Sequence, residues 1–479
     1  MCGCRELSGS GIFELAFGSF TSRQEISPRS VGAHWEHTLM RCLGLDIGSS
    51  SIKGAVLDLE TSRVSNIVRE SFPDPVAGMP SGFHEVSPEE IFTRAVNVID
   101  RLCGHAPDAT TLLSCGQMGG IMLVDQKLRP FTNYLSWRDQ RTTVADTDGT
   151  TTMDRLRACW SDAVFEDLGK ELKPGSATSL LYWLAQQQQL PAEATPVTVG
   201  DYVIARLCHG VPRMERTQGI GMLNLRTNGW HHAAFEAVGL DGLRWPELTH
   251  EREPIGSVHR NGRTLTCYPV IGDQQAALRG IRLQSHELSI NVSTGSQVSQ
   301  ITAEFRPAEC QTRPWFDGQF LNTITHIPAG RALTVLEALL TELPRLAGIK
   351  IENSWQLIQQ AAHSSTGQGL SCDLSFFASA MGCDGRINGI TTDNLTIGNL
   401  FHAAFEFMAD SYLTCSRRLS PGPTWDQLAI SGGLVQAFAP LRRKIEARFP
   451  FPIRDVAEQE ETLMGLIPVV VMGTTEPDP

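Results

Sequence analysis

Apolar positions along the chain change their spacing in a way that separates strands from helices. Arg41–Asp46 (RCLGLD) is a short, nearly continuous apolar run and predicts a buried strand. Ile47–Ser51 is a string of small residues that predicts a tight turn, and Ile52–Leu59 (IKGAVLDL) predicts a second strand. Strand, turn, strand is a hairpin. The period lengthens to that of a helix over Pro88–Leu102, over Ser176–Gln189 before Pro191, and over Ala332–Leu343. Leu400, Phe401, Ala404, Phe405, Met408 and Tyr412 recur on one face of a further helix. Short β-rich runs lie between: Leu112–Gln117, Val197–Gly200, Tyr268–Gly272, Leu288–Ser293 and Leu428–Ser431. Such alternation predicts an α/β fold. Small-residue turns near Gly48 and near Gly295 each follow a strand, which points to two similar halves.

Composition narrows the class. A chain of 479 residues is too long for one ordinary core and long enough for two large domains. The net charge of −12 argues against general nucleic-acid binding, which needs basic patches, but leaves a locally positive ATP site open. The apolar run Leu466–Gly473 is broken by Pro468 and falls short of the ~20 residues that cross a bilayer. The twelve cysteines contain no CxxC pair, which suits reduced thiols in a cytoplasmic protein. Residues 1–40 are expected to be an N-terminal extension, either a disordered tail or a mis-assigned start, because they are rich in Ser, Gly and Arg and show no period. A targeting segment is the rival reading, although the charged and apolar regions of a signal peptide are missing.

Five constellations carry candidate chemistry. In Asp46-Ile-Gly-Ser-Ser-Ser-Ile-Lys53, Gly48, Ser49, Ser50 and Ser51 let backbone N–H groups approach phosphate oxygens. Lys53 can offset phosphate charge, and Asp46 at a strand end can hold Mg²⁺ through water. The same residues also suit a plain hairpin turn capped by Asp. No GxxxxGK[ST] occurs, so a Walker-type ATPase is disfavoured. Asp273 in Ile271-Gly-Asp-Gln-Gln-Ala-Ala277 follows a strand and precedes a helical run, where it can accept a hydroxyl proton or simply cap the helix. Thr294 and Gly295 can form a second phosphate turn or an ordinary one. Ser431, Gly432 and Gly433 can let a nucleoside lie against backbone, or make a simple βα turn. Gln117, Met118, Trp137, Asp139, Arg141 and Asp201 offer the oriented polar groups and apolar wall that a polyol needs, though Asp139 and Arg141 can also pair only with one another.

These motifs occur in an order that resembles the FGGY carbohydrate kinases, from about residue 41 to about 467. The resemblance implies two actin-like, ribonuclease-H-like ATPase domains, residues 41–258 and 259–479, with the active site in the cleft between them. It implies ATP and Mg²⁺ as cofactors, with Asp46 and Asp273 on the metal side and Asp273 as general base. DIGSSSIK and NVSTGS are similar to the two phosphate motifs and SGGLVQ to the adenosine motif. Gly200–Gly210, His326–Leu340 and Leu441–Ile453 resemble most the members that act on sedoheptulose. The implied reaction is γ-phosphoryl transfer to the terminal hydroxyl of a ketose, giving sedoheptulose 7-phosphate, with xylulose or another polyol as the alternative. A sugar is the expected partner, with no nucleic acid and no membrane, and a homodimer is compatible. A catalytically weak, nucleotide-binding regulatory homologue is the reading from a different class.

Three features depart from the family pattern. Gly119 stands where many ketose kinases have His, which would admit a longer sugar. Gly465-Leu-Ile-Pro468 places a proline where an alanine-rich closing helix is usual and is expected to cut or kink that helix. The chain then ends without a strong final helix.

Overall fold

The structure is a computed structural model that describes residues 41–420, 422, 424–456 and 460–471. The N-terminal extension expected over residues 1–40 therefore lies outside the described residues, as do 472–479.

The predicted hairpin forms: β1 (Arg41–Ile47) pairs antiparallel with β2 (Ser51–Asp58), which pairs with β3 (Arg63–Ser71). Helix α1 (Pro88–His105) begins at Ser87, whose hydroxyl caps the Glu90 N–H. It buries Ile91, Ala95, Val98, Ile99 and Leu102 against the sheet, one face of a helix at 3.6-residue spacing. The chain returns to the sheet as β4 (Thr111–Gly116), parallel to β1. After an excursion of short helices, short strands and loops that includes α2 (Val199–Leu207), it adds β5 (Gly256–Arg260) and β6 (Arg263–Gly272). The first sheet has the order β5-β6-β4-β1-β2-β3.

Helix α3 (Asp273–Gly280) leads into a second sheet that repeats this plan. Its strands are β7 (Glu287–Asn291), β8 (Ser296–Thr302), β9 (Gln311–Pro314), β10 (Phe320–Ile327), β11 (Gln427–Ser431) and β12 (Ile453–Asp455). The order is β9-β10-β8-β7-β11-β12, again an antiparallel meander (β10-β8-β7) followed by parallel strands (β7-β11-β12). The turns at Gly48 and Gly295 join equivalent strands, β1 to β2 and β7 to β8. Helices α4 (Gly330–Leu346) and α5 (Ile397–Arg418) accompany this sheet, α5 burying Leu400, Phe401, Ala404, Phe405, Met408 and Tyr412. Two lobes of like topology are the actin-like, ribonuclease-H-like arrangement.

Several boundaries differ from expectation. Val197–Gly200 is not a strand: pairing stops at Val197, and Thr198 caps α2, whose third residue is Asp201. A division at 258/259 falls inside β5, which pairs with β6, so the first sheet continues to Gly272. The chain end also crosses back. Helices α6 (Glu461–Met464) and α7 (Ile467–Val471) bury Leu463, Leu466, Ile467 and Val469 against Cys42, Ala55, Leu57 and Leu113 of the first sheet. The helix does break, but at Gly465-Leu466, and Pro468 sits in the first turn of α7, where its missing N–H costs nothing.

The chain end can reach this face because two glycines let helices touch. A Cβ on Gly465 would lie 1.8 Å from the Ala276 carbonyl oxygen, and one on Gly280 would lie 2.0 Å from that of Glu461. Gly465→Ala is therefore expected to destabilise the fold by about 1–3 kcal/mol through overpacking, read as a lower denaturant midpoint.

Candidate active site

Alternation along β1 decides which way Asp46 faces. Leu43, Leu45 and Ile47 pack with α1, whereas Cys42 packs with Leu463 of α6. Asp46 shares the Cys42 face and meets the chain end there. Thr462 Oγ1 donates to Asp46 Oδ2 at 2.6 Å, and Lys53 Nζ lies 3.2 Å from the same oxygen. Asp46 Oδ1 is buried with no partner among the described residues. Burial pushes the Asp46 carboxyl upward against the pull of Lys53 and Thr462.

Asp273 arrives from the same strand ends. Asp46 stands opposite Cys115 in β4, which stands opposite Ile271 in β6, so Asp273 projects just beyond. The cap of α3 is Gly272 and Asp273 is the first helical residue, which disposes of a mere capping role. Burial, and then the charge of Asp46, raise the Asp273 carboxyl to about 7. Both aspartates also act on the Cys115 thiol between them, which burial holds far above its ordinary pKa. A carboxylate oxygen with no donor beside a second carboxylate suits a hard cation such as Mg²⁺, which takes oxygen ligands and keeps several waters. Among the described residues no group of three or more His, Cys, Asp or Glu gathers as a metal cage.

Residues not singled out in the sequence fix this geometry. Gln218 Nε2 donates to the Gly116 and Ile271 carbonyls, 3.1 Å each, and clamps β4 to β6. Gly272 N–H donates to Thr217 Oγ1 at 2.8 Å. Gln274 Nε2 reaches Gln297 and Thr323 of the second lobe, 3.1 Å each, and its Oε1 accepts from Arg313, which also pairs with Glu171. Glu460, with φ of 59°, takes Lys53 at 2.9 Å and pairs with Arg69. These are ordinary polar residues by sequence, and only long-range contact singles them out.

The second-lobe motifs come together. Val292 N–H donates to the Ser431 carbonyl at 2.9 Å, and Asn291 Nδ2 to Ser431 Oγ at 2.9 Å. Gly432 has φ of 102°, and a Cβ there would lie 2.3 Å from the Val292 oxygen, so the position requires glycine. Thr294 and Gly295 form an exposed turn, and the Arg331 N–H at the start of α4 donates to the Thr294 carbonyl at 2.9 Å.

Residues 41–280 match the family model for the N-terminal domain of the FGGY family of carbohydrate kinases. The chain belongs to that family. FGGY kinases are phosphotransferases that act on a sugar hydroxyl. This FGGY chain is 21% identical to mouse (Mus musculus) sedoheptulokinase over 86% of its own length and 93% of that protein. It is 22% identical to Bacillus subtilis xylulose kinase over 45% of its length and 43% of that protein. Among solved structures, a gluconate kinase of Lactobacillus acidophilus superposes with a TM-score of 0.80 at 16% identity, covering 91% of this chain and 90% of the other. A xylulose kinase from the same organism gives 0.79 at 15%, with coverage of 91% and 90%.

Four of the residues expected to touch sugar in this FGGY chain have partners within the chain. Asp139 is fully buried and accepts from the His84 N–H at 2.7 Å and from Arg141 N, Nε and Nη2 at 2.8–3.0 Å. Arg141 also reaches Glu85 at 2.7 Å and lies over the rings of Phe83 and Trp183. Asp201 is buried at the start of α2, where it accepts from Thr198 Oγ1 at 2.7 Å, and burial raises it to about 7. The carboxamide of Gln117 bridges the Gly48 carbonyl (3.4 Å) and the Tyr134 hydroxyl (3.2 Å), so it braces the turn between β1 and β2. Trp137 remains partly exposed, Met118 lies against Gly272, and Arg138 Nη2 donates to Ser49 Oγ at 3.0 Å. Lys53, expected to face phosphate, is held by Asp46 and Glu460; burial works against its charge, but these carboxylates outweigh it. Surface cavities of about 390 and 530 Å³ are lined by neither Asp46 nor Asp273.

Asp139→Ala leaves the Arg141 guanidinium buried beside a lost partner. Loss of about 3–5 kcal/mol is expected in chemical denaturation, with the sugar KM of the folded fraction little changed.

Proposed function

We propose that this FGGY kinase transfers the γ-phosphoryl group of ATP to the terminal hydroxyl of a ketose, sedoheptulose first and xylulose second. The observation that carries the reading is Asp273, held near pH 7 by burial and by Asp46. A carboxyl poised there can take a proton at neutral pH. The bond from the γ-phosphorus to its bridging oxygen breaks and leaves ADP, a bond to the sugar oxygen forms, and the hydroxyl proton passes to Asp273. The turn Gly48–Ser51 and the turn Thr294–Gly295 cradle phosphate through backbone N–H groups, and Ser431–Gly433 bears the adenosine. Bound Mg²⁺ supplies charge neutralisation to the phosphates, and Asp46 Oδ1 and Asp273 are the residues to hold it.

Sedoheptulose is favoured by the relative that aligns along nearly its whole length, a sedoheptulokinase. Gly119 agrees. Its φ of 74° disfavours any larger residue, and a Cβ there would lie 3.3 Å from Trp137 Cβ, so the wall beside Trp137 stays open for a longer sugar. The reading includes a cytoplasmic setting, which the unpaired cysteines of the described residues suit. No helix among the described residues is long and apolar enough to cross a membrane.

The test is a panel of ketoses and polyols with ATP and Mg²⁺, run on the wild type and on Asp273→Asn. The variant is expected to lose ~10²–10⁴ in kcat. Activity within tenfold of the wild type would remove Asp273 as the base, and ATP binding without turnover of any sugar would favour the regulatory reading. The wild-type kcat/KM is expected to rise with pH through about 7 as Asp273 ionises in the free enzyme. The folded-state pKa lies above the ordinary 3.8, so ionisation costs the fold stability, a cost absent at acid pH that grows up to about 7. Asp273→Asn is therefore expected to melt above the wild type at pH 8 and level with it at pH 4.

A further inference from the structure

Lys53, the cation of the phosphate turn, is neutralised by two carboxylates. Another cation occupies the contact between the lobes without that restraint. Lys173 sits on a rigid loop: its carbonyl accepts from the Ser176 N–H at 3.0 Å and from Ser179 Oγ at 2.8 Å. Two residues on, Gly175 packs against the Trp137 backbone so closely that a Cβ would lie 1.9 Å from its oxygen. Lys173 is thereby carried beside the Gly119–Trp137 wall. Its ammonium crosses to the second lobe and donates to Thr325 Oγ1 at 2.6 Å and to His326 Nδ1 at 3.3 Å.

Those two residues lie near the end of β10. Ile327, next in sequence, stands opposite Ser296, the residue after the Thr294–Gly295 turn. Lys173 thus links the sugar-side wall to the second phosphate turn. An ammonium has three donors, and Lys173 spends two on neutral acceptors. The nearby Glu171 is taken by Arg313, and no carboxylate of the described residues lies within ion-pair distance of Lys173. A desolvated cation so placed lacks an anion. Arg138 and Arg331, further cations of this region, are exposed, Arg138 donating to Ser49 Oγ and Arg331 lying over the Phe377 ring.

We propose that Lys173 binds the oxygens of the phosphoryl group in transit, so that this chain meets the transferred charge with a lysine from the sugar-side loop. The proposal rests on the kinase reading above. Burial lowers the Lys173 ammonium to about 8, with Arg313 adding to the effect and Glu171 opposing it. His326 is held neutral, at about 4, by burial and by Lys173, Arg313 and Arg331. A γ-phosphate would supply the missing negative charge.

The test compares Lys173→Met and Lys173→Arg with the wild type in ATP and ADP binding, steady-state kinetics with the best sugar of the panel, and pH profiles. In the Met variant kcat is expected to fall about 10²–10³-fold, as when one donor to a developing charge is removed. ATP binding weakens relative to ADP binding while the sugar KM stays put. The wild-type kcat/KM is expected to decline above pH 8 as Lys173 loses its proton, and the Arg variant, always charged, recovers part of the activity without that decline. An unchanged preference for ATP over ADP in the Met variant, a defect confined to sugar KM, or an alkaline decline that persists in the Arg variant overturns the proposal. If the Met variant does not fold, the Arg variant's pH profile decides alone. A wild type that binds ATP and phosphorylates sugar separates these failures from failure of the kinase reading, which would show as no turnover in any protein.

Discussion

The structure depends on keeping two carboxylates, Asp46 and Asp273, in one desolvated place. Each is disfavoured there by burial; the charge of Asp46 makes ionisation of Asp273 harder, and Glu460 adds to the cost at Asp46. A pair of this kind survives only if its surroundings are stiff. The stiffness comes from three parallel strands in register, β1, β4 and β6, with Gln218 tying the ends of the last two. Backbone amides and a carboxamide therefore do the holding, and the acids are left with unspent capacity. That spare capacity, seen in the partnerless Asp46 Oδ1, is what suits the site to ligands carrying positive charge or a proton.

The same constraint explains why the chain end returns to the first lobe. Asp46 needs a donor on the face opposite α1, and Thr462 supplies it across 416 residues of sequence. The close approach at Gly280 and Gly465 makes that return possible. Glu460, beside Thr462, then captures Lys53. The C-terminal helices are thus part of the site's foundation, with residues on both sides of the break at Gly465-Leu466 packed on the first sheet.

Charge is sorted between the lobes in a comparable way. Glu171 and Lys173 rise from the first-lobe excursion, while Arg313, Thr325 and His326 belong to the second sheet. Arg313 satisfies Glu171 and also holds Gln274, the neighbour of Asp273. A relative movement of the lobes would disturb the residue next to Asp273, so the placement of Asp273 is tied to that of Glu171 through one guanidinium. Arg141 shows the opposite use of the same side chain, stacked between Phe83 and Trp183 and closed off by Asp139 and Glu85 as a brace.

Local pattern alone determined the α/β class, the β1–β2 hairpin, the positions of four helices and the order of the glycine turns, because period and turn chemistry are properties of neighbouring residues. It also marked Asp46 and Asp273, since each lies at or just past a strand end within two residues of a glycine. It misread Val197–Gly200, where apolar content resembled a strand but Thr198 with Asp201 made a helix start. What a polar side chain faces was settled only in three dimensions. Asp139, Arg141 and Asp201 have the residue types of a sugar site, yet burial and near partners turned them into supports, whereas Thr462, Arg313 and Lys173 carry no local signature at all. Pairing depends on which segments the sheets bring together, and for residues hundreds of positions apart no local spacing encodes it.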